Sequence, residues 1–255
     1  MSRVPTSPGR PLQTTNRERI LSATHAGSAP PVALGVTHGS GSGRVRVVDL
    51  TLPFDPRNLR VSFAPYREIA VDGWRITKVT FDTHAGTHLD APSHQLVDGP
   101  PLQSVDLARC IGPAFVCDLR HVLPRDTIEI EDFGPYERAI QPGARVLYRT
   151  DWTARFGQPG YREGFPCPLV SCARWLADRG IVLLGMDSPS VGPVYRTPAE
   201  VIAVHEPLLR RGVVIVEELA PLAVLTDTPC QIVALPLALT GLDGSPVRAV
   251  ALVGD

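Results

Sequence analysis

Three of the chain's seven histidines fall within thirteen residues, DTHAGTHLDAPSH at 82–94, together with two aspartates. His84 and His88 are four apart, Asp90 follows two later, and His94 four beyond that. On a helix the first spacing would put two imidazoles on one face. Gly86 between them and Pro92 after them argue instead for a loop. Imidazole nitrogen and carboxylate oxygen are the common protein ligands of Zn²⁺ and Mn²⁺, and with no cysteine nearby a site here has nitrogen and oxygen character. Three such groups on a Gly/Pro-shaped loop, with a fourth to spare, are the inventory of a catalytic metal with an open position. The plainer alternative is a polar surface loop with incidental histidines.

The elements that would position this loop are readable from Val45 onward. RVRVVDLTL reads as a strand, and WRITKVTF as a second that runs into the histidine cluster. GPAFVCDL and ARVLYRTD are a third and a fourth. SCARWLADRG predicts a helix with Ser171 as N-cap and Gly180 just past its end. The buried strand IVLLGMD follows. In TPAEVIAVHEPLLRRG, Thr197 caps a helix, Pro198 sits at its first position and Glu200 completes a capping box. Pro207 inside that helix should kink or shorten it. VVIVEEL is the next strand, so residues 181–219 form a strand–helix–strand unit and part of the sheet is parallel. The last strands, QIVALPLAL and VRAVALV, are joined by TGLDGSP, a turn-rich, hairpin-like connection.

Residues 1–44 are rich in Ser, Thr, Gly and Pro and read as a flexible N-terminal arm, with HGSGSG a linker and not a dinucleotide loop. Residues 45–255 are then one α/β domain. The 255 residues carry a formal net charge of −1 with both signs mixed, so no basic block points to nucleic acid. No apolar run approaches the ~20 residues of a membrane span, and no secretory signal opens the chain. Five cysteines, odd in number and without a C-x-x-C pair, read as reduced buried thiols of a cytoplasmic protein.

The run H-x-G-T-H-x-D-x-P-x-H, residues 84–94, resembles the signature of the cyclase family that includes bacterial kynurenine formamidases, isatin hydrolases and cyclase-like proteins of antibiotic pathways. ARWLADRGIVLLGMDSPSV is similar to the family's helix–strand–loop segment, and HEPLLRRGVVIVEEL to its second metal segment. The resemblance implies that His84, His88 and Asp90 bind a first metal ion, that His205 and Glu217 complete that site or a second one, and that His94 is the general acid/base. It also implies a swivelling β/β/α-type single domain, a mixed, partly parallel sheet flanked by helices, and a homodimer or larger homo-oligomer. Glu217 near the carboxyl end of its strand suits this, because ligands of parallel sheets gather there. Formamidases of the family carry an early Trp-Pro-Gly stretch. Here DLTLPFDPRNLRVSFAPY has no such triplet, which leaves Phe63, Tyr66 and Trp74 as candidates for an aromatic pocket wall. The plainer reading of each is a core or interface aromatic.

The expected chemistry is that of one or two Zn²⁺ or Mn²⁺ ions held by neutral imidazoles and carboxylates. Such an ion lowers the pKa of bound water towards ~7 and polarises a carbonyl. Hydrolysis of a small amide, formamide, lactam or ester is the first reading, with His94 moving the proton. A natural-product (polyketide-type) cyclase using the same metal site is the second. A non-catalytic metal- or small-molecule-binding protein is the third.

Overall fold

A computed structural model describes residues 44–57 and 59–254. Apart from Arg44, the arm expected over residues 1–44 lies outside the described residues. In chain order the elements are β1 (Val45–Asp49), β2 (Val61–Arg67), α1 (Ile69–Asp72), β3 (Ile76–Phe81), β4 (His88–Asp90), β5 (Ile111–Asp118), β6 (Thr127–Ile128), β7 (Arg145–Arg149), β8 (Cys167–Pro168), α2 (Val170–Asp178), β9 (Leu183–Met186), α3 (Pro198–Arg210), β10 (Val214–Glu217), β11 (Cys230–Val233), β12 (Gly244–Pro246) and β13 (Val250–Gly254).

Nine strands form one sheet in the order β1-β13-β11-β5-β7-β9-β10-β4-β12. Its centre, β5-β7-β9-β10, is parallel, and both flanks are antiparallel. Parallel strands must be covered on both faces, and the side-chain alternation shows how. Val146 and Tyr148 of β7 pack with Ala173, Leu176 and Leu208 of the two long helices. Leu147 between them turns to the other face and packs with Leu183, Val214, Val216 and Leu219. That second face is closed by the sheet itself, which curls until the chain leaving β1 meets the chain leaving β10. There Ala220 N–H donates to the Leu50 carbonyl. An isolated antiparallel bridge, Thr51 to Leu219, closes the same seam. The fold is therefore a mixed α/β domain with a curled sheet and helices on its outer face.

Three details differ from the sequence reading. α2 begins at Val170 with Leu169 as N-cap, not Ser171. The Leu169 amide donates to the Ile128 carbonyl at 2.9 Å, holding the chain extended to that point, so the helix starts at once after it. α3 has the expected capping box, Thr197 with Glu200, but runs unshortened through Pro207 to Arg210. Burial of Val204, His205, Leu208 and Leu209 on its inner side outweighs the one backbone hydrogen bond that proline removes. TGLDGSP is not a hairpin turn. Its Gly244–Pro246 part is β12, which pairs with the outer edge of β4, while β11 and β13 are antiparallel neighbours at the other flank. A turn in place of β12 would leave the fully buried β4 with unpaired backbone groups.

β3 joins β2 and not the main sheet, and the segment VSFAPYR that forms β2 was not foreseen as a strand. The hairpin stands away from the body. Every residue from Ser62 to Thr80 is exposed except half-buried Asp72.

Gly185 lies at the centre of β9, where a Cβ would come 2.6 Å from Leu147 Cδ2 and 2.7 Å from Leu219 Cδ1. Neither leucine can retreat in a core closed on both faces. Gly185→Ala should lower unfolding free energy by roughly 1–3 kcal/mol, read by urea titration. An unchanged midpoint would show that the seam repacks freely.

Candidate metal centre

β4 and β10 are antiparallel, with His88 opposite Glu217 and Asp90 opposite Ile215. His88 and Asp90, two apart on a strand, therefore project to the same side, with Glu217 beside them. Leu89 points the other way into the core. α3 covers this side and brings His205 down onto the strand ends. His84 comes from the tight turn before β4, where Gly86 has a left-handed φ of 62°. His94 comes from the single 3-10 turn Pro92–His94 that follows. All six residues singled out in the sequence thus converge.

Asp90 and Glu217 are only 1% and 4% exposed. His88 Nε2 is 3.4 Å from Asp90 Oδ1 and 3.3 Å from Glu217 Oε2. His205 Nε2 is 3.8 Å from Asp90 Oδ2 and 3.6 Å from Glu217 Oε1. Behind them the other ring nitrogens are committed. His88 Nδ1 donates to the Gly86 carbonyl at 2.7 Å and His205 Nδ1 to the Val201 carbonyl at 2.8 Å. A backbone carbonyl on Nδ1 keeps a proton there, so Nε2 is the nitrogen that would offer its lone pair to an ion, the arrangement that orients imidazoles as metal ligands. Glu217 Oε1 also accepts the Val191 amide at 2.7 Å. Asp90 Oδ2, wholly buried, accepts no hydrogen bond among the described residues.

His84 faces two carboxylates, with Nδ1 2.9 Å from Asp90 Oδ1 and Nε2 3.1 Å from Asp243 Oδ2. Burial opposes its charge, but these two hydrogen bonds outweigh that and its pKa rises. His88 and His205 are likewise pulled down by burial and raised on balance by Asp90 and Glu217. Burial would push both carboxyls up, yet the surrounding imidazoles hold Asp90 well below the usual range and Glu217 at about 2. His94 behaves oppositely. Burial, then the neighbouring His84 and His205, lower its pKa against the pull of Asp90 and Glu217. Its ring lies 3.9 Å from that of His84, centroid to centroid, and Gln95 Nε2 is 3.0 Å from its Nε2.

Asp243 is the site residue that sequence reading missed. It sits in the segment taken for a turn, and only the pairing of β12 with β4 brings it to His84 and, at 3.8 Å, to His94 Nδ1. A carboxylate in a GLDG context carries no local signal apart from turn propensity. The four histidines with Asp90 and Asp243 include three overlapping triads whose ligand atoms are close enough to share an ion. Phe63, Tyr66 and Trp74 are not core residues and do not line the cavity beside His84. They sit half exposed on the β2–β3 hairpin, and the aromatic in that cavity wall is Tyr195.

The donor set fits a divalent ion. The Nε2 atoms of His88 and His205 face carboxylate oxygens at 3.3–3.8 Å, beyond most hydrogen bonds, and Asp90 Oδ2 accepts no hydrogen bond among the described residues. A cation at the convergence would answer both.

The sequence model of the family described as Putative cyclase matches residues 48–193, and the chain belongs to that family. Kynurenine formamidase of Bacillus mycoides (strain KBAB4) is 34% identical over 175 residues, which cover 69% of this chain and 78% of that protein. Isatin hydrolase A from Ralstonia solanacearum superposes with a TM-score of 0.72 at 25% identity, over 82% of this chain and 92% of that one. A structure described as a potential metal-dependent hydrolase with cyclase activity gives 0.66 at 26% identity, over 82% of this chain and 98% of its own.

Behind the centre, Asp187 at the end of β9 accepts hydrogen bonds from the Thr150 amide and hydroxyl, yet burial pushes its pKa up to about 6. A raised folded-state value means that its stabilising contribution is fully present below pH ~4 and lost as pH rises through about 6. Wild type should therefore lose roughly 2 kcal/mol relative to Asp187→Asn between pH 4.5 and 7.5. Parallel urea titrations of the two proteins would measure it. A constant difference would show that Asp187 stays charged throughout.

Proposed function

We propose that this chain is a metal-dependent hydrolase of a small amide, formamide, lactam or ester. His84, His88, Asp90, His205 and Glu217 hold one or two Zn²⁺ or Mn²⁺ ions, and His94 is the general acid/base. The observation that carries the reading is the buried Asp90 Oδ2, with no hydrogen-bond donor among the described residues, facing at 3.8 Å the Nε2 of a His205 ring held through Nδ1 by the Val201 carbonyl. An ion bound there would supply a Lewis acid for the scissile carbonyl and make its bound water more acidic.

The chain's own residues do the rest. Gly86 and Val201 carbonyls keep the His88 and His205 rings in the ligand tautomer. The Gln95 amide donates to His94 Nε2, so the neutral ring carries its proton on Nδ1 and its basic lone pair on Nε2, the nitrogen that, once it leaves Gln95, takes a proton and returns it to the leaving nitrogen or oxygen. Asp243 Oδ2, 3.8 Å from Nδ1, stabilises the imidazolium formed in between. Ring closure of a natural-product precursor is the second reading, supported by the cyclase activity named for one similar structure.

For the assembly we propose a homo-oligomer, supported by the β2–β3 hairpin. Phe63, Tyr66, Ile69, Val71, Trp74, Ile76 and Val79 are all exposed on it. A lone two-stranded hairpin is marginal in water, and an apolar patch of this kind marks a contact surface. A cytoplasmic location is supported by five buried free thiols. No helix among the described residues is long and apolar enough to cross a membrane.

Protein purified without chelators should contain Zn²⁺ or Mn²⁺ by elemental analysis, and His88→Ala should lose it. His94→Ala should keep metal and thermal stability while turnover falls ~10²–10⁴-fold on whichever of N-formylkynurenine, isatin and simple lactams is a substrate. Metal content indifferent to His88→Ala would sink the site. Intact metal with no hydrolysis of the panel would move the reading to ring closure. Separately, the triple change Phe63→Ser, Ile69→Ser, Trp74→Ser should convert an oligomer to a folded monomer by light scattering. An unchanged mass would place the contact elsewhere.

A further inference from the structure

A cavity of about 1170 Å³ opens directly against the metal centre, with His84, Ala85 and Gly86 on one wall. Small-molecule pockets are usually lined mainly by apolar and aromatic groups. This one is ringed by charge, with Arg57, Arg60, Arg125 and Arg162 against Asp82 and Glu163. The arginines are not equivalent. Arg57 is consumed locally, its Nε 2.9 Å from both oxygens of Asp55. Arg60 makes only a long, water-exposed contact of 3.6 Å with Asp82, which solvent screens.

Arg125 and Arg162 are different. Arg125 has no ion-pair partner among the described residues, and its backbone is left-handed with φ 74°. That conformation is strained for a non-glycine residue and persists only where surroundings enforce it. Here the Arg125 amide donates to the Gly164 carbonyl at 2.7 Å, and Gly164 leaves room for the arginine stem. A Cβ at Gly164 would lie 3.1 Å from Arg125 Cγ. Two loops are thus locked together, with an unpaired guanidinium held on the cavity wall. Arg162 lines the same cavity, two residues before Gly164, and is anchored by the fully buried Glu218, whose Oε1 is 3.7 Å from Nη1. That distance supplies attraction but no hydrogen bond, and Glu218 accepts none. Nη2 makes one long hydrogen bond, 3.5 Å to the Pro189 carbonyl, and the other donors of Arg162 remain available to a ligand.

We propose that this cavity is an anion-reading subsite, in which Arg125 and Arg162 bind a carboxylate that the substrate carries away from the bond being broken. The planar guanidinium fork matches a carboxylate in a bidentate fashion and stays charged throughout the working pH range. For the reacting group the inference rests on the hydrolase reading, and it narrows the substrate class to acids among small amides and lactams. A neutral aromatic substrate would find little apolar wall here beyond Leu59, Val194 and Tyr195.

The test compares phenylacetate with homophthalate, which adds a second carboxylate to the same ring, by calorimetric titration of metal-loaded full-length protein. The ion can take one carboxylate of either probe, so the ratio of affinities reports the second carboxylate. Homophthalate should bind at least about tenfold more tightly to wild type. The ratio should fall to within about twofold in Arg125→Asn, a residue at home at positive φ, and independently in Arg162→Met, both with unchanged metal content. Equal affinities in wild type, or a preference that survives both substitutions, would overturn the subsite. A tenfold ratio abolished by the substitutions, in a protein that hydrolyses no amide, would uphold it and remove the hydrolase reading instead.

Discussion

Asp90 and Glu217 are two carboxylates held out of water on neighbouring antiparallel strands, and such anions cost several kcal/mol each to bury unless charge and hydrogen bonds answer them. Much of the fold around them reads as that answer. His88 and His205 face both acids, His84 clasps Asp90 from outside, and the Val191 amide takes one oxygen of Glu217. The approach is close enough to exclude ordinary side chains. A Cβ at Gly192 would lie 3.0 Å from the His205 ring, and one at Gly244 would lie 2.7 Å from His84 Cε1. The strands that carry the acids are short and paired on both edges, so no backbone group of β4 competes for them.

This arrangement has a dry side and an open side. On the dry side α3 and the loop after β9 seal His88, His205 and the two acids, and the proton positions there are dictated by backbone carbonyls. On the open side His84, His94 and Asp243 are partly exposed, and His84 lines the cavity. The division suits a centre that grips an ion from within and moves protons at its rim. Function is set by a site and the walls around it and not by the fold. Those walls carry unpaired guanidinium charge where an aromatic surface was sought. The aromatics of that stretch are instead displayed on a hairpin outside the body.

Residues 82–94 declared a candidate centre by residue type and spacing, and Thr197, Pro198 and Glu200 declared where α3 starts, because capping and ligand chemistry are local. Short apolar runs bounded by turn residues gave β1, β5, β7, β9 and β10, and the strand–helix–strand order gave the parallel pairing. Resemblance, and not pattern, connected His205 and Glu217 to the loop more than a hundred residues earlier. What no local signal could supply was the destination of β12. Whether TGLDGSP turns back or crosses to the far edge depends on how far the sheet curls and which buried edge still lacks a partner. Asp243 therefore became visible only in the folded chain. The same holds for Arg125, whose side chain is an ordinary surface arginine in the sequence. It becomes a wall of the cavity because two loops meet at Gly164, a contact that tertiary packing alone decides.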